Sequence, residues 1–281
     1  MKLLNLGCGH RFHPTWINVD FTSHSEHVIS YNLLQGIPFG DNSFDVVYHS
    51  HVLEHFPKSK ADFFISECYR VLRNKGTLRI AVPDLEQVVK TYLIALDKAS
   101  LASSEWMDNY DWILLEMYDQ VVRNRSGGDM AEYFVKEKLD NQKFVLERCG
   151  VEAEQLLESG KKIWQSIHTN SQDNKLKILL KQVYKTIAHP EHIRDLFLRV
   201  LLGKDFEALQ IGRFRLSGEV HQWMYDRYSL SKLLKECGFE QVTQRSASDS
   251  FIPNWVSYNL DTEPDGSIYK PDSLFMEAIK P

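Results

Sequence analysis

The parts of this chain that could do chemistry are one glycine turn and two dense polar clusters. Gly7-Cys8-Gly9 follows a short apolar run at once, and Asp20 closes the next run 13 positions beyond Gly7. Glycine suits such a turn because it tolerates positive φ and lets a ligand approach the backbone closely. A carboxylate at the following strand end can accept the hydroxyl protons of a ribose. The densest polar cluster is His49, Ser50, His51, Glu54 and His55; the second is HQWMYD, from His221 to Asp226. Histidine titrates near neutral pH, which makes His51 and His221 candidate general bases. Tyr225 joins them as a group that could orient a substrate.

The glycine turn discriminates among nucleotides. A dinucleotide site wants G-x-G-x-x-G and an acid about 20 residues further on. Here the third glycine position holds Phe12, and Asp20 comes too soon. The connection HRFHPT is too short for a pyrophosphate-binding helix. A nucleoside cofactor without a pyrophosphate fits better, and S-adenosylmethionine is the candidate. Separately, His51-Val52-Leu53-Glu54-His55 spells H-x-x-E-H, which on a helix would put two imidazoles on one face for zinc.

These residues need elements to hold them. Lys2 to Leu6, Trp16 to Asp20 and Phe44 to Tyr48 read as strands, the last preceded by the turn formers Gly40-Asp41-Asn42-Ser43. Lys58 to Arg73 reads as a helix, with Phe63, Phe64, Cys68, Val71 and Leu72 on one stripe. Thr77 to Val82 is a further strand, closed by Pro83. Strands joined by helical crossovers imply a parallel sheet with helices on its faces. From Asp84 to Leu209 the pattern is almost wholly amphipathic and helical, as in LEQVVKTYLIALDKA and HIRDLFLRVLL. The strand and helix rhythm returns with a helix from Ser229 to Cys237 and strands at Phe239 to Arg245 and Leu274 to Ile279. The expected organisation is one α/β domain, residues 1–84 and 215–281, with a helical insertion over 85–214 acting as lid or substrate-specificity element.

Composition narrows the class. Apolar residues are 43% and charged residues 25% of 281, as in a folded globular chain. A net charge of −5 gives no global pull toward nucleic acid or an anionic membrane, so no nucleic-acid partner is expected. Cys8, Cys68, Cys149 and Cys237 lack CxxC spacing, which suggests reduced thiols in a cytoplasmic protein. MKLLNLGCGH breaks too early for a signal peptide, and no apolar run reaches the length of a membrane span. Lys175 to Lys185 reads as a solvated helix face, Trp106, Tyr110, Trp112 and Tyr118 as helical core, and Arg194 to Leu202 as a stripe packed on the domain.

LNLGCG, WINVD, IPFGDNSFDVVYHSHVLEH and ECYRVLRNKGTLRIAVPD resemble, in order and spacing, successive motifs of the class I S-adenosylmethionine-dependent methyltransferases. The resemblance covers Met1 to about Asp84, with support from YSLSKLLKECGFEQV. It implies a Rossmann-like, doubly wound, mostly parallel seven-stranded sheet with S-adenosylmethionine as cofactor. By the same resemblance Gly7, Cys8 and Gly9 carry the methionine part, Asp20 the ribose, and Asn32 with Leu33 the adenine. His49 and Ser50, ending the fourth strand, line the methionine side. The family often has an acid where Asn5 stands and Asp where Asn32 stands; both asparagines keep a hydrogen-bonding role. The H-x-x-E-H residues become the turn after that strand, so no metal is expected. The expected reaction is in-line methyl transfer to an oxygen or nitrogen of a small-molecule or glycan-like acceptor. A protein acceptor, or a methyltransferase-like binding module without catalysis, is the alternative.

Overall fold

Leu3–Leu6 forms β1, buried along its whole length because both faces of the sheet are covered. Around it lie β2 (Ile17–Asp20), β3 (Val28–Ser30), β4 (Phe44–Ser50), β5 (Leu72–Pro83), β6 (Glu240–Arg245) and β7 (Ser273–Ile279). The computed structural model describes residues 1–101, 103–169 and 190–281. The seven strands run in the order β3-β2-β1-β4-β5-β7-β6. The first five are mutually parallel, and β7 is antiparallel to both β5 and β6. This is the mostly parallel, seven-stranded Rossmann-like sheet that the sequence leads one to expect.

Period-two alternation splits the core between the two faces. Leu4, Leu6 and Val47 pack with Phe64 and Cys68 of α1 (Ala61–Val71) and with Leu230 and Leu234 of the late helix Arg227–Glu236. Leu3, Val46 and Tyr48 face the other way, onto Trp16, Ile252, Trp255 and Leu260. That second face also buries Arg79 completely. Its guanidinium donates to Asp261 at 2.8 Å, to Glu277 at 2.9 Å, and to the carbonyls of Ser246 and Asp249. A cation with no water must be paired in this way.

Between the two groups of strands lie α2 (Leu85–Ser100), α3 (Ser104–Val122), α4 (Gly128–Tyr133), α5 (Gln142–Thr169), α6 (Pro190–Leu202) and α7 (Asp205–Arg215); α8 is Arg227–Glu236. The chain forms two compact units. One comprises Met1–Val121, Asp140–Glu154 and His221–Pro281; the other comprises Val122–Leu139 and Gln155–Val220. The division therefore differs from the boundaries at 85 and 214. Helix α2 belongs to the first unit, where Val88 and Ala95 pack with Ile113, Trp106 and Tyr110. Arg148 and Glu116, both buried there, form a two-pronged ion pair. Helical periodicity shows that a face is covered but not by what, so it could not assign these helices to a unit.

Local differences have similar causes. Strand β3 has three residues, of which only Val28 is buried, too little apolar pattern to read. His51 to His55 makes no helix: His51 sits at φ +54, and Leu53–His55 is a single 3₁₀ turn. Tyr118 and the stripe Leu196, Phe197, Val200 and Leu201 are exposed rather than packed. Lys175 to Lys185 lies outside the described residues. Among the described residues, no helix is long and apolar enough to cross a membrane.

Candidate functional site

The strand order reverses at β1, whose neighbours β2 and β4 lead to opposite halves of the sheet. Ligands of open α/β sheets bind at such a switch point, beyond the carboxyl ends of the strands. Leu6 is in register with Val19 on one side and His49 on the other. Gly7 therefore leaves the sheet between Asp20 and Ser50, and three of the predicted elements converge on one corner.

The loop after β1 is built by hydrogen bonds. The amides of Gly7 and Cys8 both donate to the carbonyl of Val19, at 2.7 and 3.2 Å. The amide of Gly9 donates to Asp20 Oδ2 at 2.8 Å, and Thr22 donates to Oδ1 at 3.1 Å. Gly7 and Gly9 sit at φ +61 and +52, where a side chain is strained. Their reasons differ. A Cβ on Gly7 would lie 2.3 Å from Val52 Cγ2, whereas one on Gly9 would meet open space. Cys8 is buried, and burial with the Asp20 charge pushes its thiol up to about 12, so it packs rather than reacts. Asn5 lies beneath the loop, donating to Asn18 Oδ1 and to the Arg11 carbonyl, both at 3.2 Å.

Asn32 follows β3. Its side chain accepts from the Leu34 amide at 3.0 Å and so starts the 3₁₀ turn carrying Leu33, which is buried. The stretch after it is latched to α1. Glu67 accepts from the Ile37 amide at 2.8 Å and pairs with Arg70, which in turn donates to the Ile37 and Phe39 carbonyls. This latch positions the Asn32–Leu33 turn, and sequence reasoning did not find it.

At the end of β4 the polar cluster assembles around Glu54. His49 is fully buried against Phe64, with neither ring nitrogen hydrogen-bonded, and burial holds it down to about 4, a neutral ring at pH 7. His51 Nδ1 lies 3.3 Å from Glu54 Oε1, and its Nε2 lies 2.8 Å from Ser273 Oγ. Glu54 is fully buried. Burial opposes its charge, yet His51, His221 and His55 together hold its carboxyl at about 2. Gln222 and Trp223 donate to the Glu54 carbonyl at 2.6 and 3.2 Å, stitching the second polar cluster onto the first. Tyr225 is buried there, and it also lines a cleft of about 400 Å³ with Lys58, Trp223 and Tyr228. The structure thus brings His51, His221 and Tyr225 together.

Residues 13–80 match the family described as Methyltransferase domain. The matched stretch runs from the end of the loop after β1 into β5, and it includes Asp20, Asn32, His49 and Glu54 but not Gly7 to Gly9. Over that stretch the chain is similar to a methyltransferase domain. An uncharacterized protein of Methanocaldococcus jannaschii is 40% identical over 65 residues, 23% of this chain and 27% of that one. The chain thus matches about a quarter of that relative's length. A SAM-dependent methyltransferase from Archaeoglobus fulgidus overlays with a TM-score of 0.37 at 12% identity, covering 99% of this chain and 86% of that one. One from Thermotoga maritima overlays with a TM-score of 0.36 at 10% identity, covering 100% and 82%. These overlays are loose, and the likeness rests on the sequence match over residues 13–80.

S-adenosylmethionine is the cofactor of this domain type, and the corner fits it. The outer side of Gly9 is open, and the adjacent Asp20 carboxylate keeps lone pairs beyond the two used by the loop. The orphaned nitrogens of His49 mark a buried polar surface at the end of β4. Asn5 holds the loop from beneath. What sequence reasoning missed is tertiary: the Glu67–Arg70 latch and the seating of His221 beside Glu54.

Proposed function

We propose that this chain transfers the methyl group of S-adenosylmethionine to an oxygen or nitrogen of a small-molecule or glycan-like acceptor by in-line displacement. The observation that carries the reading is the hydrogen bond from Gly9 to Asp20 at the switch point. It couples a bare backbone turn and a carboxylate at nucleoside scale, in a connection too short for a pyrophosphate helix.

When bound, S-adenosylmethionine supplies an electrophilic methyl group on a positively charged sulfur. The chain's own part is to bind and align. Gly7, Cys8 and Gly9 would hold the methionine part, Asp20 the ribose hydroxyls, and Asn32 with Leu33 the adenine edge. His49 and Ser50 would wall the methionine side, and Asn5 would keep the loop in shape. Positioning supplies much of the rate in such a displacement. The group around Glu54, with His51, His221 and Tyr225, would handle the acceptor's proton. The four cysteines are free, which accords with a reducing compartment such as the cytoplasm.

Calorimetric titration of the full chain with S-adenosylmethionine and S-adenosylhomocysteine tests the reading. Saturable one-site binding is expected, and absence of binding at high micromolar cofactor would overturn it. Binding followed by turnover on phenols, amines or sugars supports the small-molecule acceptor. Turnover on peptides alone would make this a protein methyltransferase, and binding without any turnover a module that has lost catalysis.

A further inference from the structure

Glu54, His55 and His221 each bring one ligand atom to within 4.8 Å of the others. Two imidazoles and one carboxylate are the donor set of three-ligand protein sites for zinc or non-haem iron, which leave a position open for water or substrate. Glu54 is wholly buried, and apart from the His51 ring, 3.3 Å from Oε1, its carboxylate oxygens have no hydrogen-bond partner. A carboxylate in that position calls for a cation. The donors are also held in place by backbone rather than by side-chain rotamers alone. The amides of Gln222 and Trp223 reach the Glu54 carbonyl, and the amide of His221 donates to the Gln120 carbonyl at 2.9 Å. The rings of His55 and His221 meet edge to face with centroids 4.8 Å apart. Tyr225, 3% exposed, keeps its hydroxyl unpartnered close to Glu54.

We propose that Glu54, His55 and His221 bind one divalent transition-metal ion. The site replaces the H-x-x-E-H reading of the sequence. His51 turns away at φ +54, places Nδ1 against Glu54 and Nε2 against Ser273, and so orients the carboxylate without ligating. The third ligand comes instead from His221, far along the chain. The metal site itself does not depend on methyl transfer. Its use does rest on that reading: the open position would take an oxygen donor of the acceptor and lower its pKa, the work otherwise asked of a histidine base.

The test is titration of chelator-stripped full-length protein with Co²⁺, followed by visible absorption and calorimetry, with Zn²⁺ as competitor. One Co²⁺ per chain is expected, displaced by Zn²⁺, with affinity reduced more than about tenfold in His221→Ala, His55→Ala and Glu54→Gln. His24→Ala, which breaks the surface pair of His10 and His24 stacked at 4.9 Å, should leave it unchanged. Circular dichroism identifies the variants that fold, and His221→Ala alone decides the matter if Glu54→Gln does not. No stoichiometric binding, binding that survives the ligand variants, or binding lost with His24 overturns the proposal. S-adenosylmethionine is titrated into the same samples. A chain that binds it but no Co²⁺ overturns the metal site alone, and the reverse result overturns the methyl-transfer reading alone.

Discussion

The amide of Gly9 and the carboxylate of Asp20 meet at 2.8 Å, so the turn after β1 and the acid that ends β2 are one unit. Asp20 closes the loop, and in the proposed methyltransferase reading it also presents its remaining lone pairs to the ribose. Asp20→Ala removes both. Hydrogen bonds to a charged group contribute about 1.5–3 kcal/mol, so S-adenosylmethionine affinity should fall about 10- to 100-fold. Asp20→Asn keeps one acceptor oxygen and should fall between. Calorimetry on folded variants measures both, and an unchanged affinity in Asp20→Ala would remove Asp20 from the cofactor site.

The two loop glycines should respond differently to the same substitution. Gly7→Ala combines a left-handed backbone with a Cβ 2.3 Å from Val52, whereas Gly9→Ala adds a methyl group in open space. Left-handed strain alone costs about 1–2 kcal/mol, and overpacking adds about 1–3. Urea midpoints should therefore drop more for Gly7→Ala than for Gly9→Ala. Adding Val52→Ala should restore part of the loss only in the Gly7 variant. Gly9→Ala should fold and yet bind cofactor less well. Equal destabilisation of the two would refute the packing argument.

The latch on the Asn32–Leu33 turn should show in acid. The Arg70 guanidinium holds the Glu67 carboxyl below its ordinary 4.5, against partial burial and with help from the Ile37 amide. A carboxyl depressed on folding adds stability above its unfolded value, and that stability is lost as pH falls through the folded value. The urea midpoint of the wild-type chain should exceed that of Glu67→Gln most at neutral pH. The gap should narrow below 4.5, as both forms become uncharged. A gap that stays constant down to about pH 3 would mean that the ionised carboxyl is not what holds the latch.

How far this was legible depends on whether the cause is local. Gly7, Gly9 and Asp20 could be read because a turn and a strand end write their needs into adjacent residues. The helix expected over 58–73 forms over Ala61–Val71, legible because Phe64, Cys68 and Val71 repeat at helical spacing, while Leu72 and Arg73 already belong to β5 and Phe63 is exposed. Asn5 looked like a cofactor residue, yet its partners Asn18 and Arg11 belong to the loop. His51 to His55 is expected as the turn after the fourth strand rather than a helix carrying a histidine pair, and the chain does turn sharply at His51, but His221 arrives through a tertiary return that no spacing records. The division into units was hidden likewise, since α2 and α3 carry the same amphipathic signature whichever unit covers them.

Arg79 is the plainest case of a hidden cause. In TLRIAV it interrupts an apolar strand and could pass for a solvent-facing residue, but its acids lie 182 and 198 positions away, at Asp261 and Glu277. Arg79→Met would keep the volume of the stem and leave buried Asp261 without its cation and buried Glu277 with only Arg245, at 3.4 Å. Breaking a buried pair from one side costs about 3–5 kcal/mol. Arg79→Lys keeps the charge but cannot reproduce the planar fork that reaches both acids and the Ser246 and Asp249 carbonyls, so it should recover only part of the loss. The network lies on the Trp255 face of the sheet, and α1 with its Glu67 latch covers the opposite face. Cofactor affinity per folded molecule should therefore stay unchanged while the urea midpoint falls. A loss below about 1 kcal/mol in Arg79→Met would show that water reaches the acids and that the network is not closed.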